Sequence, residues 1–458
     1  LGKFPARGRL EEPSHRGGIP VMATETAPVQ LPVPSVCRGR RLHALVVTGS
    51  YAPDRSGMAP LNTELCEHLV SRGHRVSVVT GFPHYPDWKV PEAYRGKLWQ
   101  RETRNGVAIH RGYIFVPAQP TTTRRILYDT SLGLSAALRG LSIRDADLVL
   151  AVSPPLQGGL AAMLLARLNR APFLLAIMDL VPDLAIALGM LRNPWAIALA
   201  RRLEKYVYRR AEMILVICDV FAANLCSKGV PESKIFSLPL WVDTHFIRPD
   251  LPRNTFRKAN QISETRFVVL YTGNMGAKQR LDNVLAAAAW LPALCETQFC
   301  FVGDGAEKSR LEAYARSHAL TNVAFLPLQQ RDALPEMFAS ADVLLLNQAT
   351  QVVDTVVPSK LLSYMAAGRP VVAAVNASSE ATRCIGRAGC GLVVEPENPA
   401  ALATAIRLLY EDRSLADALG RRGRLFAEQH FAREHVLHRY ENLFLSCAEK
   451  KGKNVRGS

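Results

Sequence analysis

The chain has 458 residues, of which 48% are hydrophobic and 21% are charged, and its formal net charge is +16. This composition excludes a largely disordered protein, and the length exceeds what one hydrophobic core normally supports, so we expect two domains. The largest basic excess, 25 Lys and Arg against 17 Asp and Glu, lies in residues 41–250. Because no nucleic-acid-binding motif accompanies this charge, we expect no nucleic-acid partner, whereas an anionic membrane surface fits it.

The nine cysteines are scattered and include no Cys-x-x-Cys pair, which excludes zinc ribbons and thioredoxin-like chemistry. Several, such as Cys218 and Cys300, lie in apolar runs, so we expect free thiols in a reducing compartment. The most apolar stretch, residues 172–191, contains Asp179 and Asp183 and does not fit a membrane span. No signal-peptide pattern opens the chain, so the sequence predicts a cytoplasmic protein.

Residues 1–40 are rich in Pro, Gly and Arg and show no periodicity. We interpret them as a disordered extension that contributes nothing to fold or activity, with Met22 as a candidate start. The fold prediction therefore begins at residue 41.

From residue 42, strand and helix patterns alternate in the manner of crossover units. The predicted strands are the apolar runs 42–48, 75–80, 147–153, 172–178 and 213–218. Helical patterns cover 61–73, 156–170 and 195–211, and a strand pair is expected around 107–116. Together they predict an N-terminal Rossmann-like domain over residues 41–245.

A second series of strands follows a predicted linker at 246–262, which lacks clear periodicity. Its apolar runs are 266–273, 297–305, 323–327, 341–347 and 369–375. Continuous apolar runs are typical of buried parallel strands, so the fold class is α/β, with two doubly wound domains and a cleft between them. The C-terminal domain is predicted over 263–420, followed by a helix at 421–448 and a basic tail at 449–458.

Two loops that follow predicted strands carry glycines suited to binding an anion. The loop 48–60 contains Gly57 just before a helix, although a plain connecting loop explains it equally well. The loop 271–281 contains Gly273, which permits close approach to a ligand, and the cations Lys278 and Arg280, which could bind a diphosphate. The alternative for this loop is a turn with solvent-exposed basic residues.

Two later loops extend this pattern. Gly303 and Asp304 stand between a strand and a helix, where Asp304 could simply cap the helix. The segment 356–375 predicts a helix that begins near Pro358, so that backbone N–H groups would face the cleft together with Ser359 and Lys360. In the N-terminal half, Asp179 follows a buried strand and is a candidate catalytic carboxylate, with helix capping as the alternative.

In their order, these motifs resemble the retaining glycosyltransferases of family four, which have the GT-B fold. The stretch "GSYAPDRSGMAPLNTELCEHLVSRGHRVSVVTGFPHYPDW" is similar to the colanic-acid biosynthesis subgroup. So are "DLVPDLAIALGML", "YTGNMGAKQRLDNVL", "FVGDGAEKSRLE" and "VPSKLLSYMAAGRPVVA", and the resemblance covers about residues 42–445.

The resemblance implies a nucleotide-sugar donor held mainly by the C-terminal domain and a saccharide acceptor, lipid-linked in exopolysaccharide or O-antigen assembly, at the N-terminal domain. It also implies a final helix that returns to the N-terminal domain, and neither a metal nor another cofactor. The implied donor contacts are Gly57, Gly273, Asn274, Lys278, Arg280, Gly303, Asp304, Val357, Pro358, Ser359, Lys360 and Ser363.

Two departures from the family pattern are visible. Much of the family has Glu-x7-Glu, whose second Glu binds the nucleotide ribose, but alignment on "AAGRPVV" puts Ser363 there and Thr355 at the first position. Arg280 stands where the subgroup often has Gly. Two alternatives therefore stay open, namely a sugar-nucleotide 2-epimerase on the same fold and a nucleotide- or saccharide-binding subunit without activity.

Overall fold

The computed structural model describes residues 41–456, except for Ser56, Pro86, Pro120, Leu188, 292–295 and 352–358. Two β-sheets organise this part of the chain, one in each half, and apolar clusters cover the sheets with helices on both faces. The prediction of two doubly wound α/β units is confirmed.

The first sheet has eight strands, and they are β1 (His43–Val47), β2 (Arg75–Gly81), β3 (Trp99–Arg104), β4 (Val107–Gly112), β5 (Leu148–Ser153), β6 (Phe173–Ile177), β7 (Met213–Val216) and β8 (Ile235–Ser237). They lie in the order β3-β4-β2-β1-β5-β6-β7-β8, and all neighbours are parallel except β3 and β4. Asn105 and Gly106 join that antiparallel pair with φ angles of 47° and 79°, as a tight hairpin turn requires. The strand pair expected around 107–116 therefore begins earlier, at Trp99.

Six helices accompany the first sheet, and they are α1 (Ala59–Ser71), α2 (Thr122–Gly140), α3 (Gln157–Asn169), α4 (Asp183–Ala187), α5 (Pro194–Arg210) and α6 (Asp219–Ser227). Helices α2 and α3 pack together on one face of the sheet, and α5 contacts α3 on that same side. Helix α1 covers the opposite face.

The second sheet has six strands, and they are β9 (Phe267–Thr272), β10 (Thr297–Val302), β11 (Val323–Leu326), β12 (Val343–Asn347), β13 (Val371–Ala374) and β14 (Gly391–Val394). All are parallel, in the order β11-β10-β9-β12-β13-β14. The later helices of the chain are α7 (Asn254–Ala259), α8 (Leu281–Ala288), α9 (Lys308–Ser317), α10 (Leu334–Ser340), α11 (Lys360–Ala366), α12 (Glu380–Ala388), α13 (Pro399–Glu411), α14 (Arg413–His430) and α15 (Arg433–Arg456), and all but α15 belong to this half. Helix α7 lies within the segment predicted as a linker.

Strand order reverses between β1 and β5 in the first sheet and between β9 and β12 in the second. In open α/β sheets, ligands bind outside the carboxyl ends of the strands at such switch points. The loops that begin at Thr48 and at Gly273 follow β1 and β9, so both lie at a switch point.

The prediction of one continuous helix over 421–448 is wrong, because two helices occupy this region. Helix α14 stays on the C-terminal half, where Arg424 donates to the carbonyl of Ala366. The chain then crosses at Phe431, whose carbonyl accepts a bond from the N–H of Val242. Helix α15 packs on the N-terminal half, and it runs to Arg456 through most of the predicted basic tail.

Three chain-wide features bear on function. No helix within the described residues combines the length and the apolar character needed to cross a bilayer. The seven cysteines whose surroundings are described carry free thiols. Within the part of the chain that the structure describes, no three His, Cys, Asp or Glu side chains group together as metal ligands.

Candidate active site

Hydrogen bonds tie the loop after β1 to the loop after β2. The Oδ1 atom of Asp54 accepts bonds from the backbone N–H groups of His84 and Tyr85, at 3.1 and 3.3 Å. Gly57 has φ +64°, and a Cβ atom there would lie 3.4 Å from the Tyr85 ring. The glycine thus lets the chain turn into α1 beside this ring, while its contact with a donor stays a prediction.

An aromatic cluster that sequence reasoning missed lies beside these loops. The rings of His84, Trp88 and Tyr128 have centroids 5.3 to 5.8 Å apart. The Nε2 atom of His84 is hydrogen-bonded to the Tyr128 hydroxyl at 3.1 Å, and burial lowers the pKa of His84. The guanidinium of Arg125, on α2, lies 5.2 Å from the Trp88 ring centroid. His84 and Tyr128 are buried, so they support the partly exposed Trp88 ring and the exposed Arg125, which together suit a sugar and a phosphate.

Asp179 lies just beyond β6, where the sequence predicted a catalytic carboxylate. Burial raises its pKa to about 6, whereas the positive charges of Lys278 and Arg125 lower it. Since Lys278 belongs to the C-terminal half, the Asp179 carboxylate interacts electrostatically with one cation from each half of the protein. The helix-capping alternative has no support, because the Asp179 carboxylate accepts no hydrogen bond from the described residues.

Lys278 lies in a short 3₁₀ turn, Ala277–Gln279, that follows β9. Its side chain is exposed, but partial desolvation in the cleft lowers its pKa, with Arg125 acting in the same direction and Asp179 opposing both. The carbonyl of Lys278 accepts a hydrogen bond of 2.8 Å from the N–H of Ala349, in the loop after β12. This bond fixes the lysine relative to the neighbouring strand of the switch point.

Two glycine-containing loops pack closely on the C-terminal side of the cleft. Gly303 has φ +146°, and a Cβ atom there would collide with the carbonyl oxygen of Gly273. The N–H of Met275 donates to the carbonyl of Asp304 at 2.8 Å, which joins the loops after β9 and β10. The Asp304 carboxylate accepts the N–H of Gly305 at 2.8 Å, so its bond lies within its own loop. Gly303 therefore shapes the Gly273 loop, and a direct donor contact stays a prediction.

Lys360 supports the Gly273 loop through hydrogen bonds. Its Nζ atom donates to the Tyr271 hydroxyl at 3.2 Å and to the Thr272 carbonyl at 2.9 Å, and burial lowers the pKa of Lys360 to about 8. The Tyr271 hydroxyl in turn donates to the carbonyl of Asn274 at 2.6 Å. A Cβ atom on Gly273 would lie 3.3 Å from this Nζ. The ammonium is thus held directly behind the loop predicted to bind a diphosphate.

The remaining predicted contacts belong to α11 and the segment before it. Ser359 immediately precedes the helix and is exposed, and Ser363 is half-buried on the helix, outside the hydrophobic core. Val357 and Pro358 lie outside the described residues. A ribose contact by Ser363 stays a prediction.

Arg280, predicted to contact a diphosphate, is paired with two carboxylates, and its contact with a donor stays a prediction. Its guanidinium donates to the Asp282 carboxylate at 3.1 Å and to the Glu397 carboxylate at 2.6 Å. Glu397 also accepts bonds from the N–H and hydroxyl of Thr350. With φ +40°, Arg280 occupies the left-handed region that a glycine adopts readily. The Arg280 side chain thus joins the loop after β9 to the loop after β14, and Glu397 joins the latter to the loop after β12.

Comparisons with known proteins agree with this architecture. The sequence model of the family described as "Glycosyl transferases group 1" matches residues 252–426, and that of the "Glycosyl transferase 4-like domain" matches residues 56–241. The putative colanic acid biosynthesis glycosyl transferase WcaI of Escherichia coli K12 is 31% identical over 412 residues, which is 87% of this chain and 98% of the relative. A GDP-mannose-dependent alpha-mannosyltransferase of Mycobacterium tuberculosis is 25% identical and covers 72% of this chain and 78% of the relative.

Solved structures share the two-sheet GT-B fold. The sucrose-phosphate synthase of Thermosynechococcus elongatus has a TM-score of 0.67 at 18% identity and covers 88% of this chain and 98% of that one. The Anabaena protein Alr3699/HepE in complex with UDP has a TM-score of 0.66 at 15% identity and covers 88% and 100%. At such identities the likeness establishes the fold alone.

Proposed function

The chain belongs to the group 1 glycosyl transferases and is a glycosyltransferase, and from this premise we propose that it moves a sugar, with retention of configuration, from a nucleotide-sugar donor to a lipid-linked saccharide. The observation that carries the proposal is the electrostatic interaction between Asp179, just beyond β6, and Lys278, in the loop after β9. The donor occupies the C-terminal side, behind Lys278, and the acceptor occupies the N-terminal side, against the aromatic cluster.

The two charges suit the two ends of a transfer reaction. When the bond between the sugar and the diphosphate breaks, negative charge develops on the leaving diphosphate, and the Lys278 ammonium stabilises it. The acceptor hydroxyl must lose a proton, and a carboxylate with a pKa near 6 is suited to assist this loss at neutral pH. Arg125 and Lys278 lower the pKa of Asp179 enough to keep it mainly ionised there.

The names of relatives support the choice of acceptor. WcaI is named for colanic acid biosynthesis, and a relative from Mycobacterium tuberculosis H37Rv, 25% identical over 386 residues, is named a phosphatidylinositol monomannoside mannosyltransferase. Colanic acid is a polysaccharide, and phosphatidylinositol monomannoside is a glycolipid. We therefore place this enzyme in exopolysaccharide or O-antigen assembly.

A panel of UDP-, GDP- and dTDP-sugars tests the proposal. A donor that binds only the folded protein raises its melting temperature with the logarithm of ligand concentration, so one nucleotide class should stabilise the protein. The same sugar should then appear on a lipid-linked acceptor, with slow hydrolysis when no acceptor is present. Stabilisation without transfer or hydrolysis would indicate a binding subunit, and C2 inversion of the free donor would indicate an epimerase.

The half-buried position of Ser363 leads to a prediction about the nucleotide ribose. A carboxylate accepts a hydroxyl hydrogen bond more strongly than a serine does, so Ser363→Glu should bind the donor about fivefold more tightly, roughly 1 kcal/mol. Its melting temperature without ligand should not change, because the side chain does not enter the core. Titration calorimetry with the donor measures the effect, and Ser317→Glu on α9 is the control. An affinity that is unchanged in Ser363→Glu would show that this position does not face the ribose.

Helix α5 provides a surface for an anionic membrane. Its exposed side carries the basic residues Arg201, Arg202, Lys205, Arg209 and Arg210, and Trp195 is 85% exposed. Tyr208, which the sequence placed among these residues, is buried instead and donates to Glu204 at 3.0 Å. The outward face is thus basic at many positions and apolar at a few, as a helix lying on a bilayer requires.

Helix α2 extends that surface with an apolar stripe. Leu127, Leu134, Leu138 and Leu141 recur at intervals of seven, four and three positions and are each 40–63% exposed. Because α2, α3 and α5 lie on the same side of the sheet, the stripe and the basic residues can contact one bilayer. We therefore place the enzyme peripherally on the inner face of the plasma membrane, where a lipid-linked acceptor would be accessible.

Liposome sedimentation tests this placement. The protein should co-sediment with anionic vesicles at low salt, and the bound fraction should fall as salt is raised. Each basic residue near an anionic surface contributes about 1 kcal/mol, so Ala at positions 201, 202, 205 and 209 should abolish binding. Donor affinity should not change, because α5 lies outside the cleft loops. If the wild-type protein does not bind anionic vesicles at low salt, the membrane placement is wrong.

A further inference from the structure

A second cavity lies in the C-terminal half, at the opposite edge of the sheet from the cleft. Its volume is about 580 Å³, within the range of small-molecule sites. Phe267 opens β9, Asp342 immediately precedes β12 and Pro370 immediately precedes β13, so the cavity adjoins the amino ends of these strands. The loops that carry Lys278 and Asp304 follow the carboxyl ends, so the cavity is separate from the proposed donor site.

The cavity is unusually basic. Its lining includes three carboxylates, Glu264, Asp342 and Asp417, and more guanidinium groups than these can neutralise. The arginines that line it are Arg253, Arg257, Arg266, Arg369 and Arg413. The lining therefore has a net charge of plus two.

Two of these arginines are committed to the protein. Arg257 is buried and donates to the Asp342 carboxylate at 2.8 Å and to the backbone carbonyl of Ser340. Arg253 donates to the same carboxylate and to the carbonyl of Ala341. The N–H of Val268 also donates to Asp342, so this carboxylate is already occupied by three donors.

The other three arginines lack such matched partners. Arg369 donates to the carbonyl of Ala339 at 2.8 Å, but its Nε atom is buried and bonds to none of the described residues. Desolvation and the nearby Arg253 lower the pKa of Arg369 to about 10, although Asp342 and Asp417 act in the opposite direction. The guanidinium of Arg413 stacks 4.2 Å from the Phe267 ring centroid and lies 3.6 Å from Asp342. Arg266 is exposed at the rim.

We propose that this cavity is a second anion site, which binds a small molecule carrying two or three linked phosphates. Guanidinium groups donate paired hydrogen bonds to phosphate oxygens, and three of them converge here around one cavity. One phosphate would contact the Arg369 guanidinium inside the cavity, and a linked phosphate would lie between Arg413 and Arg266 nearer the solvent. The inference rests on the cavity alone and does not depend on the identity of the sugar donor.

Titration calorimetry with inorganic tripolyphosphate tests the proposal. The wild-type protein should bind it, and Arg413→Gln and Arg266→Gln should each bind roughly tenfold more weakly, as expected for one lost charge-assisted contact. Lys278→Ala removes a cation from the cleft and should retain the binding to the arginine cavity. Arg316→Gln removes an exposed charge from α9 and should bind as the wild type does.

Two arginine variants are used so that the test can still be read if one of them does not fold. Arg413 packs on aromatic rings, so its loss could affect folding, whereas the exposed Arg266 side chain can be removed without disturbing the core. Unchanged affinity in both arginine variants would overturn the proposal. So would the absence of binding at millimolar tripolyphosphate, or the loss of all binding in Lys278→Ala, which would place the anion in the cleft instead.

Discussion

Asp179→Asn should lower kcat by about 10²–10⁴-fold, the usual contribution of a positioned proton acceptor. Asparagine keeps the shape of the side chain and removes the carboxylate that faces Lys278 across the cleft. Donor affinity should change much less than kcat, because the proposed partner of Asp179 is the acceptor. Steady-state kinetics with the matched donor and a lipid-linked acceptor measure both effects.

The pH dependence gives an independent check on the role of Asp179. Its pKa is about 6, raised by burial, and only the ionised form can accept a proton. The kcat/KM of the wild-type enzyme should therefore fall as pH decreases through about 6. This acid limb of the pH profile should be absent in Asp179→Asn. A profile that stays flat between pH 5 and 7 would contradict the assignment.

Stability measurements separate lost chemistry from lost folding. Holding an ionised carboxylate in a site that raises its pKa costs free energy at pH 7, so Asp179→Asn should melt no earlier than the wild type. Asp183→Asn is the matched control, since Asp183 lies in the same segment but pairs with Lys228 at 2.8 Å. This control should keep most of its activity. Equal losses in both variants would show that the segment matters only for structure.

Much of the fold follows from local sequence patterns. Strands such as β1 and β9 are continuous apolar runs, buried along nearly their whole length, and this pattern predicts parallel strands covered on both faces. Lys278 and Asp179 follow strands of this kind, so topology alone predicts that they lie at the carboxyl edges of the two sheets. The Asn105–Gly106 pair is the usual signal for a tight hairpin and could have placed β3 correctly.

The missed features depend on contacts between distant parts of the chain. His84 and Tyr128 are 44 residues apart, and Arg280 and Glu397 are 117 apart, so no local pattern reveals either pair. The break between α14 and α15 has a similar cause. Neither Gly nor Pro marks it, and the backbone leaves the helix at Phe431 to bond with Val242. Tertiary pairing there overrides a sequence that favours one continuous helix.

Lys278→Ala should weaken donor binding by about 1.5–3 kcal/mol, or roughly ten- to a hundredfold, because it removes a charge-assisted contact with the diphosphate. The melting temperature without ligand should hardly change, since the lysine side chain is exposed. Titration calorimetry with the nucleotide diphosphate measures the loss. Lys258→Ala, which removes an exposed lysine from α7, is the control and should bind as the wild type does.

The same variant should also change the titration of Asp179. The positive charge of Lys278 lowers the pKa of Asp179, so its removal lets that pKa rise above about 6. The acid limb of kcat/KM in Lys278→Ala should therefore move to higher pH, which a residue that only bound the donor from a distance would not cause. A limb at the wild-type position, together with unchanged nucleotide affinity, would show that Lys278 neither binds the diphosphate nor acts on the carboxylate across the cleft. If the limb moves while affinity is unchanged, the lysine tunes Asp179 and the diphosphate must be held by the backbone of the Gly273 loop.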